Sequence, residues 1–169
     1  MRIDVLKSRE LMATIYAVRS VDKTLQKQIR QQTKSVAAPE WTKALAERAD
    51  TRLEHRVIVG TAVVTVSNQN VRVQAAGKGR ALRGGLQPKR DYNAVEFGAN
   101  TGKTTYQRRS QKGGTHRVTR MVNTGLKPHA GKRGYVFWPA AREMVPRMGR
   151  LWVQTTVRTI ANALEGKQE

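Results

Sequence analysis

Residues 55–76 read HRVIVGTAVVTVSNQNVRVQAA, and here the period of the chain changes. Two β-branched runs flank the polar stretch Ser67-Asn68-Gln69-Asn70, the pattern of two strands joined by a turn. In alternation Val64 and Val66 face Val71 and Val73, so the stretch predicts a β-hairpin with one apolar face. Gly60 is expected to mark a bulge or bend in the first arm. Two short strands are marginal by themselves, so the flanking segments must cover them.

On the N-terminal side, Leu11, Ile15, Val18, Leu25 and Ile29 fall on one helical stripe, with Lys23, Lys27 and Arg30 off it. Ser8 suits the N-cap. Pro39 suits the first position of a second helix, whose stripe is Trp41, Leu45, Ala49 and Leu53. On the C-terminal side, Tyr135-Val-Phe-Trp138 is a short strand or a plug into the core, Pro139 opens a short helical segment, and Pro146 starts or kinks the next. Val153, Val157, Ile160 and Leu164 then form a stripe that ends at Gly166, a good helix stop.

The intervening residues 77–134 lack periodicity. GKGRALRGGLQPKR, NTGKTTYQRRSQKGGTHR and LKPHAGKRG are basic, Gly-bearing stretches separated by the short apolar pieces AVEF and VTRMV. The expectation is a single α+β domain over residues 1–169. It has N-terminal helices (1–55), the β-hairpin of a small antiparallel sheet (56–76), long basic loops with short strands (77–134), and an aromatic turn with a C-terminal helix (135–169).

Charge is the dominant compositional fact: 32 Lys and Arg against 12 Asp and Glu, a net of +20. Residues 77–134 hold 14 basic and 2 acidic residues, so +12 of that charge lies on the part least able to build a core. Such a field draws polyanions or acidic protein surfaces. There are no cysteines, which excludes disulfides, thiolate zinc sites and cysteine nucleophiles. No apolar run approaches the roughly 18–20 residues of a membrane span, and the N-terminal stretch is not of signal-peptide type. The chain is therefore expected to work in the compartment that makes it, without a membrane partner.

One stretch imitates a nucleotide site. Gly98-Ala-Asn-Thr-Gly102-Lys103-Thr104 has only three residues between its glycines, and Phe97 stands where the first glycine of a phosphate loop belongs. No helical pattern follows to offer its N-terminus to a phosphate. The histidines, His55, His116 and His129, are scattered without metal-ligand spacing. Asp91 and Glu96, the only acids of the middle section, make a thin case for a metal-dependent nuclease without a third carboxylate. Each is better expected to pair with a cation. No catalytic residue, cofactor or metal is expected. Sequence-independent nucleic-acid binding has more support: basic loops to follow phosphates, with Tyr92 and Tyr106 able to stack on bases.

RDYNAVEFGAN (90–100) and GYVFWPAAREMVPRMGRLWVQTTVRTIANALE (134–165) resemble segments of the tail-completion (neck) proteins of long-tailed bacteriophages. In that family a strand carrying an aromatic, a small apolar residue, Glu, Phe and Gly follows a hairpin region. An aromatic-Pro turn and a long helix end the chain. The basic stretch after Gly98 is a departure from that pattern.

The resemblance implies a non-enzymatic virion protein assembled in the host cytoplasm. It would form a ring, expected to be hexameric, around the DNA channel at the head–tail junction. Head-connector and tail-tube or tail-terminator proteins would be its neighbours. The tail terminator of the same neck and a general nucleic-acid-binding protein are the alternatives.

In the ring reading Asp91, Tyr92, Glu96, Phe97 and Trp138 are candidate subunit-interface residues, with Phe97 an anchor, Glu96 a partner for a cation and Gly98 a sharp exit from the strand. Lys78, Arg80, Arg83, Lys89 and Arg90, together with Lys103, Arg108, Arg109 and Lys112, are candidate contacts to DNA or to acidic neighbours. Acidic neighbours are preferred, since a lumen lined with cations would hold DNA that must slide.

Overall fold

The computed structural model describes residues 8–77 and 79–165. The leading stripe is divided between two helices, α1 (Arg9–Ser20) and α2 (Lys23–Ala46). Ser8 caps α1, its hydroxyl accepting the Leu11 N–H at 3.4 Å. Val21 is extended, and Asp22 restarts the helix by accepting the Thr24 N–H at 2.9 Å. An aspartate that can satisfy an orphan amide favours a new N-terminus over a continued helix. The break does not disperse the stripe: Leu11, Ile15, Val18 and Ile29 are all buried.

Pro39 starts no helix and lies inside α2. Ile29, Thr33, Ala37, Trp41 and Leu45 are buried at four-residue intervals across it. Packing of that continuous face outweighs the roughly 3 kcal/mol that an interior proline costs. Of the expected second stripe, Trp41 and Leu45 belong to α2, while Leu53 falls on the short α3 (Arg52–Val57).

After α3 a 3-10 turn, Val59–Thr61, contains Gly60, which bends the chain just ahead of the first arm and is not a bulge within it. The hairpin follows as β1 (Val63–Val66) and β2 (Val71–Gln74), with Val64 opposite Val73 and Val66 opposite Val71. Val64, Val71 and Val73 are buried, β1 packing on α2 and β2 on the C-terminal helix. Trp41 donates from Nε1 to the Gln74 carbonyl at 3.0 Å, which locks the hairpin's end to the helix.

The middle section differs most from expectation. AVEF is no strand: it lies mostly on α4 (Pro88–Glu96), which Pro88 opens at N1. The basic stretch expected to be a loop and the short apolar piece VTRMV together form a second hairpin, β3 (Gly102–Arg109) with β4 (Thr115–Val122), in eight-residue register. Its β-branched and aromatic residues, Thr104, Thr105, Tyr106, Val118 and Thr119, suit strands. The Ser110–Gly114 turn closes the pair, with Gly113 at φ +87°.

The aromatic run leads directly into α5 (Phe137–Leu164), 28 residues or about 42 Å long. It runs antiparallel to α2: Arg48 meets Glu143 near one end, and Thr159 donates to Gln32 near the other. The buried face is Met144, Met148, Trp152, Thr156 and Thr159. Of the expected stripe, Val153 and Ile160 are half-buried against the core, whereas Val157 and Leu164 face outward, 62% and 84% exposed. The helix carries two apolar stripes, and the one continuous with Ala140 and Ala141 meets α2. Hydroxyl donation from Thr156 to the Trp152 carbonyl at 2.8 Å, and the single Thr159 proton shared between Gln32 and the Thr155 carbonyl, let threonines serve on that face. Gly166 lies outside the described residues. Among those described, no helix is long and apolar enough to cross a membrane.

Candidate functional site

Three of the expected interface residues meet where α4 ends and α5 begins. Glu96 closes α4 and is fully buried. One carboxylate oxygen accepts the Val136 and Phe137 amides at 3.2 and 2.8 Å, and the other accepts the Trp138 amide at 3.0 Å. The expectation of a cation partner for Glu96 is thus corrected. The first turn of α5 has orphan N–H groups and a positive dipole end, and the carboxylate supplies both acceptor and charge. Being buried, Glu96 supports any contact surface here from beneath rather than forming it.

Burial pushes the Glu96 carboxyl above its ordinary value, against the opposing pull of the three amides; the Glu54 charge adds to the rise. Gly134, at φ +65°, makes room for this carboxylate, because a Cβ there would overlap Oε1.

Phe97 and Trp138 lie above that cap and, with His129, Lys132 and Arg142, line an open cavity of about 730 Å³. Tyr92 and Trp138 border a second hollow beside Ile58 and Phe137. Asp91 is separate: it accepts the Gln87 amide at 2.9 Å and pairs with Arg90 at 2.6 Å. Those two partners, Arg90 first, hold its carboxyl below the usual range. Asp91 and Glu96 therefore share no metal-binding geometry, and the described residues contain no cluster of three metal-ligating side chains.

Behind the junction, Lys127 reaches Asp50 and Glu54, each at 2.8 Å, and stands 4.8 Å over the Tyr135 ring. Partial burial disfavours its charge, but the two carboxylates outweigh this and raise its pKa. Glu54 is 2% exposed and also closes the capping box of α3, taking the Asp50 and Thr51 amides. Replacing Lys127 with Met should leave that acid without the one cation that pairs with it among the described residues and cost about 1–3 kcal/mol in urea unfolding. Asp50→Asn, at an exposed carboxylate, should change the midpoint little.

Lys127 also anchors the base of the second hairpin. Its carbonyl accepts the Ala99 amide at 3.0 Å, and Asn123 donates to the Asn100 carbonyl at 2.9 Å. Beyond this base β3 and β4 pair with one another as an arm of about 25 Å. Gly102-Lys103-Thr104 opens β3, so the phosphate-loop look-alike runs into a strand and not into a helix N-terminus.

The arm gathers Lys103, Arg108, Arg109 and Lys112, all exposed, from the expected contact set. Arg80 and Arg83 precede α4, Lys89 and Arg90 lie on its first turn, and all four are exposed. Lys78 lies outside the described residues. Arg117 and Arg120 of β4 were not anticipated; the signal was the β-branched pattern of THRVTRMV, which carries them onto a strand. His55, His116 and His129 stand on α3, β4 and the segment before α5.

No known family, curated protein or solved structure matches the chain.

Proposed function

We propose that this chain is a structural subunit of the bacteriophage head–tail junction, a tail-completion protein that closes into a ring around the DNA channel. The observation that carries the reading is the pair Val157 and Leu164, two turns apart on one face of α5 and 62% and 84% exposed, on a helix whose other face is buried against α2. A monomer gains nothing from exposing these two side chains on one face, whereas a neighbouring copy covers them.

A ring requires two different surfaces on each subunit, one for each neighbour. The pair lies toward the C-terminal end of α5. The Phe97–Trp138 cavity lies at its N-terminal end, most of the helix length away. A head-to-tail contact sets the pair of one copy into the cavity of the next, and Phe97 and Trp138 become the aromatic anchors of the interface. Of the two resembling segments, 134–165 has the aromatic run and long helix of that pattern, which supports the assignment, while 90–100 lies mostly on helix α4 where that pattern has a strand. Head connector and tail proteins then meet the two ring faces.

Changing Val157 and Leu164 together to Asp should leave a folded chain with an unaltered circular dichroism spectrum. Ring particles should disappear from light scattering and negative stain, and heads and tails should accumulate unjoined in lysates complemented with the variant. Rings and joined particles formed normally by this variant would overturn the assignment.

A further inference from the structure

The second hairpin has chemistry that the ring does not use. Six cations project from it: Lys103, Arg108 and Arg109 on β3, Lys112 in the turn, and Arg117 and Arg120 on β4. No Asp or Glu occurs between Glu96 and Glu143, so the arm carries no acid of its own. Among the described residues none of the six is in an ion pair, although Arg48, Arg90, Lys127 and Arg147 all are.

The register divides these charges between the faces. Directly opposed residues of an antiparallel pair share a face, and alternate positions change face. Arg108, opposite His116, and Arg120, opposite Thr104, share one face with Tyr106 and Val118. Lys103, Arg109 and Arg117 occupy the other, around the Thr105–Thr119 hydroxyl pair at 2.9 Å.

We infer that this arm enters the major groove of duplex DNA and holds it through phosphates on both walls, without sequence readout. The groove, about 12 Å wide, admits a two-stranded ribbon. A ribbon inside it meets phosphates on either side, which accounts for cations on both faces and at the tip. An arm laid on a flat acidic protein would need one face only. Protein interfaces also centre on buried apolar anchors and exclude charge from their core. Here the apolar exposure is divided, Tyr106 at 41% on one face and Met121 at 57% on the other. The deep, narrow major groove of duplex RNA does not accept such an element. The inference reverses the expected preference for acidic neighbours, does not depend on ring formation and stands or falls separately from it.

The test is fluorescence anisotropy of the whole protein with short DNA duplexes of two unrelated sequences, between about 50 and 200 mM salt. Both sequences should bind alike, with log K falling against log salt at a slope of about −4 to −5 if five or so phosphates are engaged. The variant R108Q/R109Q/R117Q/R120Q should keep its fold, since every changed side chain is exposed. It should bind on the order of a hundredfold more weakly, with a slope shallower by about 3 to 4.

The two single-face variants, R108Q/R120Q and R109Q/R117Q, should each lose a comparable part of the affinity. Loss confined to one face would overturn groove entry, and so would equal affinity for duplex RNA. Polyaspartate competing as well as DNA at equal charge would mark the arm as a dock for acidic protein. An unchanged salt slope in the fourfold variant would remove the arm from DNA binding altogether.

Discussion

Replacing Glu96 with Ala is expected to lower stability by about 3–5 kcal/mol, because each buried amide left without an acceptor costs about 1–3 kcal/mol. Three amides of the first turn of α5 lose their acceptor together, and the fully buried carboxylate leaves a void beside Gly134. For a domain of this size the thermal midpoint should fall on the order of 10 °C, and differential scanning calorimetry would show it. Glu96→Gln keeps an oxygen for the Val136 and Phe137 amides and should lose markedly less.

The same pair separates charge from geometry through pH. Burial raises the Glu96 pKa in the folded chain, so between the ordinary carboxylate value and the raised one the native state binds more protons than the unfolded state. Stability from this group therefore falls as pH rises through that window, and the Gln variant should lack the decline. A Glu96→Ala midpoint within a degree or two of the parent would show that water caps α5 as well as the carboxylate does.

Burial decided what the sequence could reveal. The Val64–Val73 hairpin was legible because one face is covered, which imposes alternation on it. The second hairpin is solvated on both faces, so Lys103-Thr-Thr-Tyr-Gln-Arg-Arg109 shows no period and read as loop. Pro39 misled, and the Val153–Leu164 stripe misled in its half at Val157 and Leu164, for a related reason. Each was a sound local signal, but α2 and α5 pack along the faces that run longest, through Trp41 and through Trp152. Glu96 looked like a lone acid in need of a cation. Its partners are backbone amides forty residues further on, and no local pattern points to them. The Glu54 cap, in contrast, was written in Thr51-Arg-Leu-Glu54, which has capping-box spacing.

Gly98 is the position where the junction tolerates least change, and Gly98→Ala should cost about 3 kcal/mol or more, combining left-handed backbone strain of about 1–2 kcal/mol with overpacking of similar size. It follows the last turn of α4 at φ +75°, which makes it the sharp exit expected of it, though from a helix and not from a strand. A Cβ there would collide with the Pro128 and Lys127 carbonyl oxygens. Neither oxygen can retreat freely. The Lys127 carbonyl accepts the Ala99 amide at the arm's base, and the adjoining Phe97 carbonyl accepts the Ala130 amide at 2.8 Å.

Moving them would carry Lys127 away from Asp50 and Glu54 and loosen the arm's footing at the same time. Hydrogen exchange should accordingly show the α4–β3 connection and residues 126–135 losing protection together, while β1 and β2 keep theirs. Loss confined to residues 97–100 would mean that the 127–135 segment holds its place independently, and that the arm and the Glu96 cap do not share one support.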